Sequence, residues 1–501
     1  MKSILTVVLC CISLSVFCQT PVGIFENHAD IGNPKKAGSV TYDKIVHEYR
    51  ISGAGYNIWF GRDEFHYAFK KIKGDFILTA NFEFIGKGVD PHRKIGWMVR
   101  STQDDNSAHV SATVHGDGLT VLQWRAMKGA FMRDPEDEIR FAKKAPQIIE
   151  LERNGGRYIL RVANWGEPLQ VVGEHKPAAM GDEVLAGLFI SSHNENVVEE
   201  ARVWNVRISK PVPDSYNPYR EGYLGSRLEI ISPVSGIRKV IHEYSASFEA
   251  PNWMPDGKNL LFNQEGSLYK INIEGGTPEK LNTDFANRNN NDHGISFDGK
   301  MLAISHSREG LTGGGSTIYV LPLGGGTPKQ VTEKSPSYWH GWAPNNKEVV
   351  FVGKRETAFY DIYKIAIHGG SEIKLTSNTG YHVDGPEYSP DGKFIYFNSS
   401  ESGTMQIWRM KPDGSVKEQI TFDEYNDWFP HISPDGKWIA FISFPKEVAP
   451  GDHPFYKRVM LRLMPAAGGA PKVIAYLYGG QGTINVPSWS PDSKFLAFVS
   501  N

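Results

Sequence analysis

A turn motif repeated six times limits most tightly what this chain can become. The motif is an apolar strand start, Pro-Asp-Gly-Lys or a close variant, and a second apolar strand. It reads NWMPDGKNLLF, GISFDGKMLAI, GWAPNNKEVVF, EYSPDGKFIYF, HISPDGKWIAF and SWSPDSKFLAF, with turn residues Asp256, Asp298, Asn345, Asp391, Asp435 and Asp492. Successive turn residues are 42, 47, 46, 44 and 57 positions apart. Each copy predicts a hairpin, because Asp accepts from turn amides and Gly tolerates positive φ. Each is associated with a second hairpin, such as IYVLPLGGGTPKQVT or IYKIAIHGGSEIKLT. Four strands at that period make one propeller blade. The first partner hairpin, LEIISPVSGIRKVIH, precedes the first motif, and the chain stops directly after the last one. Completing one blade from both chain ends leaves no open sheet edge, so six blades over residues 225–501 are predicted.

Residues 20–210 alternate differently, at the period of half-buried strands. In Phe76-Ile77-Leu78-Thr79-Ala80-Asn81-Phe82-Glu83-Phe84 the even positions are apolar and the odd ones mostly polar. Ile149 and Leu151 alternate with Glu150 and Glu152, Asn154-Gly155 supplies a turn, and Tyr158, Leu160 and Val162 return on one face. Trp204, Val206 and Ile208 close the region. Without amphipathic helices, a two-sheet β-sandwich accounts for this pattern, making the chain all-β. Between the two regions, Lys210 to Tyr219 carries three prolines in ten residues, and residues 211–224 read as a stiff connector.

Residues 1–18 read as an export signal, with Lys2 ahead of the apolar run Ile4 to Phe17 and small residues Val16 and Cys18 near a cleavage site. Acylation of Cys18 as a lipoprotein is the alternative, with Phe17 fitting that motif poorly. The expected location is periplasmic or secreted. All three cysteines (Cys10, Cys11 and Cys18) lie in this segment, so a cleaved chain would have neither disulfide nor thiol nucleophile. The net charge of −2 and the lack of basic runs argue against a nucleic-acid partner. No later stretch is long and apolar enough for a transmembrane helix.

The strand order GDFILTANFEF, IGWMVRS, HVSATVH and LQWR resembles concanavalin-like jelly rolls of secreted glycan-processing proteins, across most of residues 38–210. The resemblance implies carbohydrate binding, with Tyr56, Trp59, Trp97 and Trp124 as stacking platforms; the plain alternative is that these rings are core aromatics. The six repeats resemble the TolB-like propeller family. That family serves as interaction platform, peptidase gate and polysaccharide lyase, so the likeness speaks to fold more than to function.

Equivalent positions on the innermost strands converge at one channel mouth. Five residues before each turn residue lie Pro251, His293, His340, Pro386, Pro430 and Pro487. Around them stand Glu249, Asn291, Asp292, Tyr338, Trp339, His382, Asp384, Glu387, Trp428, His431 and Asn485, with Arg288 in the loop NRNNNDHG. Imidazoles with a carboxylate can hold a divalent cation, manganese or calcium, and His293, His340 and His431 are the expected ligands. Such a cation would grip an acidic sugar's carboxylate and acidify the neighbouring proton. The same three histidines, with Tyr338 and Asp384, are the candidates for acid and base in a β-elimination. Arg288, Asn291, Asp292, Trp339, Glu387, Trp428 and Asn485 are the candidates for binding substrate. The mouth is similar in kind to that of oligogalacturonate lyases, TolB-related propellers whose seven blades carry a His-rich, metal-bearing mouth. That likeness implies an enzyme, a lyase or eliminase on uronate-containing oligosaccharides. A non-catalytic envelope scaffold with a protein partner and a sugar-binding module are the alternatives. Each histidine has a plain structural alternative too, capping backbone groups or bridging blades. The six turn residues are structural, and Thr312 to Gly315 form a loop rather than a phosphate cradle. Neither a Gly-x-Ser-x-Gly elbow nor a zinc-protease helix occurs.

Overall fold

The computed structural model describes residues 21–143, 145–311 and 315–501. Residues 1–18, read above as an export signal, and Thr312 to Gly314 lie outside the described residues.

Two seven-stranded antiparallel sheets come first. One runs in the order Asn27–Ile31, Phe65–Lys73, Glu183–Ser191, Lys94–Arg100, His109–His115, Thr120–Arg125, Glu138–Arg140. The other runs Gln170–His175, Arg157–Ala163, Ile148–Asn154, Phe76–Ile85, Asn194–Ser209, Glu48–Gly55, Ser39–Asp43. Their facing side chains make one core, in which Phe76, Leu78, Ala80 and Phe82 of the second sheet meet Trp97, Val99 and Val110 of the first. The even-numbered face of Phe76–Ile85 is therefore the inner one, as its alternation predicts. The Asn-Gly hairpin forms one step later than expected. Asn154 pairs with Arg157 in the ladder, and Gly155 and Gly156, at φ 56° and 77°, make the turn. Trp97 is fully buried and Trp124 lies flat on His175 at 3.7 Å, so both are core aromatics rather than stacking platforms. Tyr56 carries the Arg62 guanidinium 4.4 Å above its ring, and Trp59 is half-buried.

Six radial sheets follow. Blades 1 to 5 each hold four strands, with innermost strands Phe248–Trp253, Asn289–Ile295, Ser337–Trp342, Val383–Tyr388 and Asn426–Ile432. Blade 6 joins both chain ends: Leu496–Ser500 pairs with Ser226–Ile231, which pairs with Arg238–Tyr244. Its inner edge is the bridge between Trp489 and Leu496. This is the closure that the position of the first partner hairpin predicts. The turn aspartates act as expected, Asp256 Oδ1 accepting from the amides of Lys258 and Asn259 at 2.8 and 3.0 Å. Indoles tie blade to blade, Trp342 Nε1 donating to Gly294 O and Trp489 Nε1 to His431 O, both at 2.9 Å.

The long 57-residue spacing has a structural use. In blades 1 to 4 the fourth strand is two residues long, but in blade 5 it is Lys472–Gly479, eight residues. The added length docks on the outer face of the second sheet, where Val473 and Tyr476 pack on Ile148 and Ala163, and Tyr478 on Ile77. Charged groups lock the same junction: Arg458 pairs with Glu150 and Glu152, while buried Glu229 pairs with Arg207 and Arg238. Residues 211–224 do more than space the two halves. They include the helical turn Pro218–Glu221, capped by Asn217, and are anchored where the amides of Val212 and Leu224 donate to the hydroxyls of Tyr478 and Tyr456.

Candidate functional site

Every innermost strand of blades 1 to 5 loses its register near its middle, and this irregularity decides which side chains reach the channel. The ladder breaks between Glu249 and Asn252, Asn289 and His293, Trp339 and Gly341, Asp384 and Glu387, and Trp428 and His431. A bulge leaves its extra residues unpaired and re-aims them. Ala250, Gly385 and Phe429 take positive φ there, at 57°, 58° and 53°. In blade 2 the unpaired residues are Asn290 to Asp292, and in blade 3 the unpaired residue is His340.

These residues line a cavity of about 240 Å³ with Tyr338, Tyr360, Asp384, Phe429, His453, Gln481 and Asn485. Six expected site residues thus meet there: Asn291, Asp292, Tyr338, His340, Asp384 and Asn485. The central contact joins His340 Nε2 to Asp384 Oδ1 at 2.8 Å. Burial opposes the charge on His340, but Asp384 and Asp292 override it and raise its pKa. Asp384 moves the other way: burial resists ionisation, but His340 holds the carboxyl below its usual range. Asp292 is pushed up to about 6, chiefly by burial, with Asp384 adding to the shift and His340 opposing it. Asn290 Nδ2 donates to Asp292 Oδ2 at 2.5 Å. Burial, with Tyr360 close by, also raises the Tyr338 phenol, which stays neutral. Environments that drive neighbouring groups to opposite protonation states are what acid–base chemistry requires.

The other expected residues stand elsewhere. His293 returns to the ladder opposite Ile304, fully buried with both ring nitrogens unpartnered, and burial lowers its pKa to about 3. His431 sits in the ladder opposite Ala440, with Nδ1 on Glu387 Oε2 at 2.6 Å and Nε2 on Ile484 O at 2.7 Å. Both its nitrogens are spent on linking blades, and Glu387 is spent with them. Trp339 and Trp428 are core residues, although Trp428 supports His453 with ring centroids 4.5 Å apart. Arg288 pairs with Glu309 on an exposed edge at 2.8 Å. The expected trio of His293, His340 and His431 is therefore not assembled. Among the described residues no group of three or more His, Cys, Asp or Glu side chains could hold a metal ion. The residues present do not fit the expected divalent cation.

Six cavity residues were not among the candidates: Asn290, Val352, Tyr360, Phe429, Gln481 and His453. Only Asn290 had a signal, as part of the unusual NRNNNDHG run. Next to the mouth, burial pushes Glu249 up to about 7. Glu249 and Asp292 both hold a proton more tightly folded than unfolded. Their stability contribution is therefore complete below about pH 4 and is lost as pH rises through about 6 to 7. Asp292→Asn is expected to stabilise the protein at pH 8 by about 1–3 kcal/mol, the scale set by a carboxyl pushed up to about 6. Melting curves should show the gain vanishing near pH 4; an equal offset at both pH values would count against burial as the cause.

Fold and site together define a six-bladed propeller, joined to a β-sandwich, with a polar, ligand-sized cavity at one mouth. The TolB beta propeller domain model matches residues 311–450. An uncharacterized Agrobacterium fabrum protein is 48% identical over 279 residues, which is 56% of this chain and 93% of that relative. A solved structure from Agrobacterium tumefaciens, provisionally described as TolB, superposes with a TM-score of 0.52 at 48% identity, covering 55% of this chain and 97% of that one. The chain belongs to the TolB-like β-propeller family. Tol-Pal system protein TolB of Francisella tularensis is 28% identical over 238 residues, 45% of this chain, and the match spans about half of that relative (53%).

Proposed function

We propose that this is an exported glycan-handling protein whose propeller mouth binds an oligosaccharide and eliminates across a uronate unit. The observation that carries the reading is the His340–Asp384 pair, 2.8 Å long, on one cavity wall with Asp292 and Tyr338. A carboxyl with a pKa near working pH is an effective base. Asp292, at about 6, takes the proton from the carbon beside the sugar carboxyl. The cavity wall has no Lys or Arg among the described residues, so imidazolium His340 is the cation that faces the charge growing on that carboxylate. The electron pair left on carbon forms the double bond as the glycosidic C–O bond breaks, and the Tyr338 phenol gives its proton to the departing oxygen. Gln481 and Asn485 offer amides to sugar hydroxyls. The export pattern of residues 1–18 supports a periplasmic or secreted location.

The test is incubation with oligogalacturonates between pH 5 and 9, following the ultraviolet absorbance of unsaturated uronates and the oligomer mass. Activity is expected to rise through about pH 6 as Asp292 ionises, and to fall at higher pH as His340 loses its proton. Binding without new absorbance would leave a sugar-binding protein. Neither binding nor chemistry would favour the second reading, a non-catalytic envelope scaffold, which membership of the TolB-like family supports.

A further inference from the structure

A second cavity of about 350 Å³ adjoins the mouth and shares Asn290, Asn291 and Gln481 with it. Its far side is supplied by the connector between the two halves of the chain. Tyr219, in the helical turn Pro218–Glu221, and Tyr223 just beyond it form an edge-to-face cluster with Phe455 of blade 5, with centroids 5.9–6.2 Å apart. Tyr219 is 74% exposed. A large, solvent-facing ring held by two aromatic neighbours is well placed for an apolar ring face. The opposite wall is polar: Glu249 and Asn263 line it, and one buried hydrogen-bond acceptor there is unused. Asn289 Oδ1 is buried and without a partner, while the Asn291 amide faces the Glu249 carboxyl. Buried polar atoms in folded proteins are normally satisfied, and a ligand hydroxyl donating to Asn289 Oδ1 would satisfy this one.

We infer that this connector cavity is a second sugar subsite, in which a pyranose ring stacks on Tyr219 and hydrogen-bonds across to Asn289. It rests on the glycan reading of the mouth and deepens it. The ligand is an oligomer of at least two units, one at His340 and Asp384 and the next beside the connector. The connector thereby sets the length of chain that binds best.

Affinity is measured by calorimetry on the full protein with two probe series of one to five units, oligogalacturonates and N-acetyl-chito-oligosaccharides, to separate acidic from neutral rings. For the series that binds, three units are expected to bind about tenfold tighter than one, the size of one added aromatic contact. Tyr219→Ala and Tyr223→Ala should reduce that ratio towards one, Tyr219→Phe should restore it, and Phe422→Ala, an exposed ring outside both cavities, should keep it. A wild-type ratio of one, or a ratio that survives Tyr219→Ala, overturns the subsite and leaves the mouth reading intact. Failure of both series to bind at any length overturns the mouth reading and the subsite with it.

Discussion

Replacing Asp63 with alanine is expected to destabilise the sandwich by about 3–5 kcal/mol, the cost of breaking a buried ion pair from one side. Asp63 is fully buried and accepts from both terminal nitrogens of Arg125 at 2.6 Å and from Arg100 at 3.2 Å. Burial works against its charge, but His109, Arg125 and Arg100 together hold the carboxyl below its usual range. Arg100 and Arg125 are themselves fully buried, so the substitution strands two guanidinium charges without a counterion. Calorimetry should show the first unfolding transition about 10 °C lower, by the usual scaling for a domain of this size. Asp63→Asn should lose less, since its amide oxygen still accepts. A drop below about 1 kcal/mol would mean that water or backbone carbonyls already neutralise the arginines.

The largest functional effect is expected at His340. His340→Ala should lower turnover of an oligogalacturonate by about 10²–10³, the range for losing one group that stabilises charge developing in the transition state, with the fold unchanged by circular dichroism. Asp384→Asn gives a sharper signature. The Asp384 carboxylate is the strongest influence raising the His340 pKa, so the high-pH limb of the activity profile should move to lower pH. Retained activity in His340→Ala would remove the imidazole from the chemistry. An unmoved limb in Asp384→Asn would show that Asp292, not Asp384, keeps His340 charged.

Fold and site were not equally legible in the sequence. Repeat period, turn chemistry and the displaced first hairpin together specify six blades closed by both chain ends, because each rests on local rules that survive into the tertiary structure. The alternation of Phe76 to Phe84 likewise specifies which face meets the core. The site was half legible. Counting back from each turn residue assumes that all inner strands keep one register, and they do not. His293 and His340 hold the same place in the count, yet the blade 2 ladder breaks before His293 and resumes on it, whereas in blade 3 His340 is itself the unpaired residue. Asp292 takes the channel position that the count gives to His293. His431 and Glu387 match in the count as well, and adjacent blades turn them towards each other.

By itself the sequence determined the blade number, the closure and the strand faces, all set by spacing along one chain. Only the tertiary structure decided which polar side chains share a cavity and what protonation states they hold. Bulges re-aim single residues, and burial beside charges from neighbouring blades sets their pKa values. Neither effect has a signature within a single strand.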